Sequence, residues 1–206
     1  MTRRRGLLAV GALLALTLAF GLGRASVAAP PPPPGPGAVD VGFAQDMAAH
    51  HAQAVLMASL APGRAGPTVA ALAAGILSTQ STELGAMQGW LRLWGAPAAS
   101  PAPMAWMGHP MAPGDLMPGM ATPEDLTDLW AASGPDFDAR FLDLMLRHHR
   151  GGVEMAGYAA AHAGLGVVRD AARGMQFSQA EEIGQMQAVL GAAGGAGGPP
   201  APIPPG

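Results

Sequence analysis

The chain has 206 residues, a formal net charge of −3, 30 glycines, 21 prolines and no cysteine. One folded domain of about 160 residues suits that length, and the absence of thiols excludes a disulfide framework and a thiolate metal site. Removing Arg3, Arg4, Arg5 and Arg24 with a leader takes the charge to −7 (−3 − 4), which speaks against a nucleic-acid partner.

The N-terminus carries the three arginines, an apolar run from Gly6 to Leu22, and then the small residues Ala25 to Ala29. That order is a secretory signal peptide over residues 1–29. An uncleaved membrane anchor is the alternative, although the run is short and glycine-broken for a span of about 20 residues. Both imply a periplasmic or secreted location. Residues 30–37 form a stiff Pro-rich spacer, and residues 192–206, almost wholly Gly, Ala and Pro, read as a disordered tail.

Residues 38–191 between them read as an all-α domain. Asp40 can cap a helix that runs to about Leu60 and stops at Pro62 and Gly63. A second helix follows Pro67, carries Ile76, Gln80, Glu83, Met87, Trp90 and Trp94 at four-three spacing, and stops near Gly95. The pair makes a hairpin over 38–95. Residues 98–121, rich in Pro, Gly and Met, show no periodicity and form a loop. Thr122-Pro123-Glu124-Asp125 opens a short helix over 122–133, with a threonine cap, proline in the first turn and acids at the positive end of the dipole; Gly134 and Pro135 end it. A second hairpin, 136–191, begins at Asp136 or Asp138 and turns at Gly164 to Gly166.

The second hairpin repeats the first. Phe43, Met47, His50, Ala54 and Met57 recur 98 residues later as Phe141, Met145, His148, Gly152 and Met155, each time with a further histidine, His51 or His149, directly after the first. Ile76, Gln80, Glu83, Met87 and Trp90 recur 99 residues later as Met175, Gln179, Glu182, Met186 and Val189. The rhythm turns one stripe of each helix toward its partners. Two such hairpins pack most simply as a four-helix bundle with a pseudo-twofold axis.

Histidine on that stripe is the informative feature, because a buried imidazole needs a hydrogen-bond partner or a metal ion to offset its lost hydration. His50 and His148 are therefore candidate ligands, the alternative being hydrogen bonds to Gln80, Glu83, Gln179 or Glu182. Counted from each turn at about 1.5 Å per residue, His50 falls near Gln80 and His148 near Glu182. The same count puts Met47, Met145, Met87 and Met186 about one turn away, at the end remote from the hairpin turns. These methionines, with Met57 and Met155, are either ligands or core filler. His51 and His149 lie one position off the stripe and either ligate, orient a ligand from behind, or face solvent. Glu83 and Glu182 are ligands or hold histidines by charge-assisted hydrogen bonds. Asp46, Asp143 and Glu154 read as solvated or capping charges; Tyr158 and His162 receive no role.

The loop adds Met104, Met107, His109, Met111, Met117 and Met120, which form either a flexible tract that wraps Cu(I) or a Met-rich lid over the bundle. Imidazole and thioether without thiolate favour copper, as Cu(I) or Cu(II). Zinc is possible with histidine and carboxylate ligands, the methionines then being packing. Di-iron is poorly served, since no glutamate stands three residues before a histidine. No nucleophile pairs with a base and no phosphate loop occurs, so hydrolase and kinase readings are set aside.

The repeated Asp-x-x-Phe-x-x-x-Met-x-x-His-His-x-x-x-x-x-Met-Ala, Asp40 to Ala58 and Asp138 to Ala156, resembles the bacterial domain-of-unknown-function family 305. So do the Ile-x-x-x-Gln-x-x-Glu-x-x-x-Met-x-x-Trp-Leu element from Ile76 to Leu91 and Met117-Pro118-Gly119-Met120 before the short helix. The resemblance covers residues 38–191. It implies a ferritin-like four-helix bundle, usually exported, in a family that includes periplasmic copper-binding proteins linked to copper resistance, with the motif histidines and methionines as candidate ligands. This chain departs from the pattern at Val189, where the family has tryptophan, and at Gly151-Gly152. The glycines either open space beside His148 or allow close helix approach, at about 1 kcal/mol each. The expected function is an exported copper-binding protein that sequesters or passes on copper without turnover, an envelope copper-handling protein being the candidate partner and the oligomeric state left open. The alternatives are a metal-free helical interaction module whose polar seam fixes helix register and a ferritin-like metal oxidase.

Overall fold

Among the described residues, amphipathic segments punctuated by Gly and Pro fold into five α-helices, α1 (Ala38–Ser59), α2 (Pro67–Trp94), α3 (Pro123–Ala131), α4 (Gly134–His162) and α5 (Gly166–Gly195), with a 3-10 turn at Ala105–Met107. The computed structural model describes residues 35–195 and Thr17, and no strand occurs among them. The signal peptide apart from Thr17, the spacer before Gly35 and the tail beyond Gly195 lie outside the described residues.

Local chemistry explains most boundaries. Pro67 starts α2, where its missing N–H has no intrahelical partner to lose, and Gly95 ends it in the left-handed conformation at φ 66°. At α3 the Thr122 hydroxyl accepts from the Asp125 N–H (3.1 Å) and the Asp125 carboxylate accepts from the Thr122 N–H (3.0 Å), a reciprocal cap. Two expectations are corrected. Pro135 does not close α3 but opens α4, whose cap is Ser133. The helical run of α5 passes the expected boundary at residue 191 and reaches Gly195.

Asp40 is not the cap of α1. Gly37 holds that position, and the Asp40 carboxylate reaches back to its N–H (2.7 Å). The same carboxylate accepts from the backbone N–H groups of Gly164 (3.2 Å) and Leu165 (2.9 Å) in the turn of the second hairpin. Its repeat counterpart, Asp138, accepts from the Gly66 N–H in the turn of the first (3.0 Å). Each hairpin thus caps the other's return helix, which places the two turns at opposite ends of the bundle.

That crossing overturns the expectation that Met47, Met87, Met145 and Met186 share one end. Met47 and Met87 pack with Phe43, Leu91, Met155 and Met175 in one apolar cluster. Met57, Met145 and Met186 pack with Phe141 and Ile76 in another. On every long helix the polar residues of the repeat fall between members of the two clusters: His50 and His51 on α1, Gln80 and Glu83 on α2, His148 and His149 on α4, Gln179 and Glu182 on α5. The core is therefore two apolar halves separated by one polar layer. Val189 stands where tryptophan was expected and still packs against the second cluster.

Asp40 is fully buried, and of its three charge-assisted bonds one caps its own helix and two join the hairpins. Asp40→Ala is expected to lower stability in urea unfolding by about 2–4 kcal/mol, and Asp138→Ala, which frees one N–H, by roughly half as much. Equal or negligible losses would contradict the reciprocal capping.

Candidate metal centre

The antiparallel packing of α1 on α4 brings His50 and His148 face to face, with ring centroids 3.8 Å apart and planes tilted by 33°. Both side chains are fully buried, as are those of His51 and His149. His51 and His149 therefore do not face solvent: His51 Nε2 lies 2.7 Å from the Glu83 carboxylate and His149 Nε2 lies 2.6 Å from that of Glu182. The expected pairing of His148 with Glu182 gives way to His149, because the off-stripe flank of each helix faces its own hairpin partner.

A further bond fixes a tautomer. His50 donates its Nε2–H to the Pro118 carbonyl (3.1 Å) and so presents an Nδ1 lone pair, while Nε2 of His51 and of His149 each bonds a carboxylate; the Nδ1 atoms of all three rings find no partner in the protein. A ring whose far nitrogen is held by a carboxylate or carbonyl is the usual arrangement of a metal-ligating histidine. Neither nitrogen of His148 makes a well-formed hydrogen bond. Burial, reinforced by the neighbouring His51, pushes the pKa of His50 down to about 3, against the pull of the Pro118 carbonyl. Burial, followed by His50, His149 and His51, holds that of His148 well below the ordinary range, with the nearby His50 carbonyl opposing weakly. Both rings are neutral at neutral pH and can donate lone pairs.

Among the described residues no three histidine or carboxylate groups converge as a metal site by themselves. Any ion at the imidazole pair must draw further donors from thioether, amide or backbone groups. The methionines of both clusters, Met47, Met87 and Met155 on one side and Met57, Met145 and Met186 on the other, are fully buried. Gln80 and Gln179 were among the hydrogen-bond partners that the alternative to metal ligation offered His50 and His148. They make no such bond: both are buried, and all four amide atoms lack a partner within the protein.

The Met-rich loop lies ordered against the bundle. Met104, Met107 and Met117 are buried, Met111 and Met120 are half-buried, and His109 is exposed. Asp46, expected to be a solvated or capping charge, is instead buried and accepts from the Met104 N–H (2.7 Å) and the Trp106 Nε1–H (2.8 Å). Burial raises its pKa, partly opposed by those two bonds. A sequence signal was present, since the repeat puts Leu144 in the place of Asp46. Trp106 packs edge-on against Phe43 (5.8 Å) and Tyr158 (5.6 Å), and Tyr158 stacks on His162 (4.1 Å), so both residues left without a role border the loop anchor. Gln53 pins the other end, exchanging two hydrogen bonds with the Ala121 backbone (2.9 and 2.8 Å).

The doubled glycine of α4 serves close approach. A Cβ on Gly151 would lie 1.9 Å from the Pro118 oxygen, and one on Gly152 would lie 2.2 Å from Gln179 Oε1. Gly119 presses equally on the Arg147 carbonyl. The Met117-Pro118-Gly119-Met120 turn thus sits directly over α4 beside His148 while its Pro118 carbonyl orients His50. Asp143 pairs with Arg147 (3.3 Å) at the surface, and Glu154 is exposed, as expected for both.

The profile of the family described as a domain of unknown function, DUF305, matches residues 40–190. The chain belongs to the DUF305 family. No match was found among curated proteins. Among solved structures, this DUF305 protein is similar to a DUF305 protein of Streptomyces coelicolor that is described as secreted, at 42% identity over 76% of this chain and 94% of that chain, with a TM-score of 0.70. It is similar to a DUF305 fragment from Deinococcus radiodurans at 31% identity, over 77% of this chain and 99% of that chain, with a TM-score of 0.66. It is also similar to CopM in a Cu(II)-bound form, at 29% identity over 74% of this chain and 96% of that chain, with a TM-score of 0.60. The fold resembles that of a protein solved with copper.

Unfolded histidine takes up a proton near pH 6.5, whereas folded His50 resists protonation to about pH 3. Between those values the unfolded state binds more protons, so the stability of the metal-free protein falls as the pH is lowered through that window. The His50 contribution is at most about 1.4 kcal/mol per pH unit. Urea midpoints of wild type should fall more steeply from pH 7 to pH 4.5 than those of His50→Gln; parallel curves would contradict a buried neutral imidazole.

Proposed function

We propose that this DUF305 protein is an exported copper-binding protein that sequesters copper or passes it to another envelope protein, with no turnover of its own. One observation carries the reading: two neutral imidazoles, His50 and His148, sit in close contact at the centre of the bundle with three ring nitrogens that the protein leaves without partners. A soft or borderline ion that accepts imidazole and thioether suits them, and copper does so in both oxidation states. The likeness to CopM in Cu(II)-bound and Cu(I)-bound forms, the latter at 25% identity and a TM-score of 0.57, supports that choice of ion.

Within the site, His50 and His148 would bind the ion, and Met117 and Met120, which flank the Pro118 carbonyl over the imidazole pair, are the thioethers nearest in the chain to that contact. Glu83 and Glu182 would act from behind by fixing His51 and His149. The acidic chain and the leader fit export, as does the secreted description of the Streptomyces coelicolor protein. Zinc is the competing ion, because it also takes imidazole but gains nothing from thioether. A metal-free module is the weaker reading, since a seam serving register alone has no use for lone pairs aimed inward.

The mature protein, without leader or polyhistidine tag, is expected to retain copper through gel filtration in a fixed ratio. His50→Ala with His148→Ala should weaken copper binding by about tenfold or more in a chelator competition. Copper at about 100 times its dissociation constant should stabilise the wild type by about 2.7 kcal/mol. Unchanged unfolding midpoints with copper, zinc and iron would favour the metal-free module.

A further inference from the structure

The polar layer holds more oxygen than histidine needs. Cu(II) differs from Cu(I) in demanding more ligands and accepting hard oxygen donors, whereas Cu(I) is content with few soft ones. Other oxygens in and around the layer carry hydrogen bonds: Glu83 Oε2 to His51, Glu182 Oε2 to His149, the Pro118 carbonyl to His50, and Asp46 Oδ2 to Met104 and Trp106. Two buried oxygens in the layer carry none, Oε1 of Gln80 and Oε1 of Gln179, both on side chains that are 1% exposed and without any hydrogen-bond partner in the protein.

Their placement is built rather than incidental. Gln179 Oε1 lies against α4 at Gly152, where a Cβ would approach it to 2.2 Å. Gly152 follows His148 by four residues, one turn along the same helix face, so the missing side chain admits the amide against α4 one turn from His148. By the repeat, Gln80 and Ala54 hold the positions that correspond to Gln179 and Gly152, Ala54 standing one turn beyond His50. Two imidazoles and two amides, one of each from either half, therefore line a single layer.

We infer that the amide oxygens of Gln80 and Gln179 complete the shell of a bound Cu(II) ion, directly or through one water, and that these two glutamines determine whether the layer accepts the cupric state. This rests on the copper-binding reading proposed above, with the imidazole pair as its nucleus. The glutamines would add little for Cu(I), to which an uncharged amide oxygen is a poor donor.

The test compares wild type with Gln80→Leu/Gln179→Leu, a change that removes buried polar atoms without introducing new ones, using Cu(II) and Cu(I) alone in chelator competitions and the Cu(II) electron paramagnetic resonance spectrum. Cu(II) affinity is expected to fall about tenfold or more while Cu(I) affinity stays within about threefold, and the cupric hyperfine splitting shifts. Unchanged Cu(II) affinity and spectrum overturn the inference while leaving the copper site intact; equal losses for both ions also overturn it, since the amides would then act on packing. Wild type that binds neither ion overturns the copper reading and the inference together. Should the double variant fail to fold, Gln179→Glu tests the same point: a carboxylate there should tighten Cu(II) binding relative to Cu(I) and shift the spectrum, and no change in either would count against it.

Discussion

A layer of buried polar side chains through the middle of an otherwise apolar bundle is the constraint from which the rest of the structure follows. Nine side-chain nitrogen and oxygen atoms in it, on His50, His51, His148, His149, Gln80 and Gln179, have no hydrogen-bond partner in the protein. Leaving one such group unpaired costs about 1–3 kcal/mol, and a domain of this size has only about 5–15 kcal/mol of net stability. A bound ion would answer to these atoms, and copper, the ion proposed here, accepts the lone pairs of neutral imidazole as well as thioether sulfur.

The surrounding architecture reads as support for that layer. Antiparallel hairpins, tied by Asp40 and Asp138, bring the two His-His steps to one height and so make a close pair from copies 98 residues apart. Glu83 and Glu182 settle the orientation of the outer histidines. Three differences between the copies lie where the loop docks: Gly42 makes room for Trp106 where the second copy has Arg140, Asp46 stands where it has Leu144, and Gln53, which holds Ala121, stands where it has Gly151. One half has been adapted to hold the loop, and the other, through Gly151, to let it come close.

Much of this was legible in the sequence, and the limits have physical causes. The four-three spacing and the duplication suffice for the helices, the bundle and the inward position of His50 and His148, because periodicity encodes which face is buried. Periodicity within a helix says nothing about how two hairpins are oriented, so the methionines were expected together at one end when the crossing separates them. A single stripe also understates a helix with two neighbours: α1 packs on both α2 and α4, which buries His51 as fully as His50. Asp46 was misjudged because its partners come from a loop without periodicity. Gly151-Gly152 was visible as an anomaly, but its purpose, admitting the Pro118 carbonyl and the Gln179 amide, needed coordinates.

The central claim concerns where an ion sits. A crystal of the copper-loaded mature protein, with anomalous difference maps recorded on either side of the copper absorption edge, locates the ion directly. A peak within bonding distance of ring nitrogens from both His50 and His148 is the predicted result. Copper found only on exposed His109, on loop methionines away from the imidazole pair, or nowhere at stoichiometric loading would contradict it.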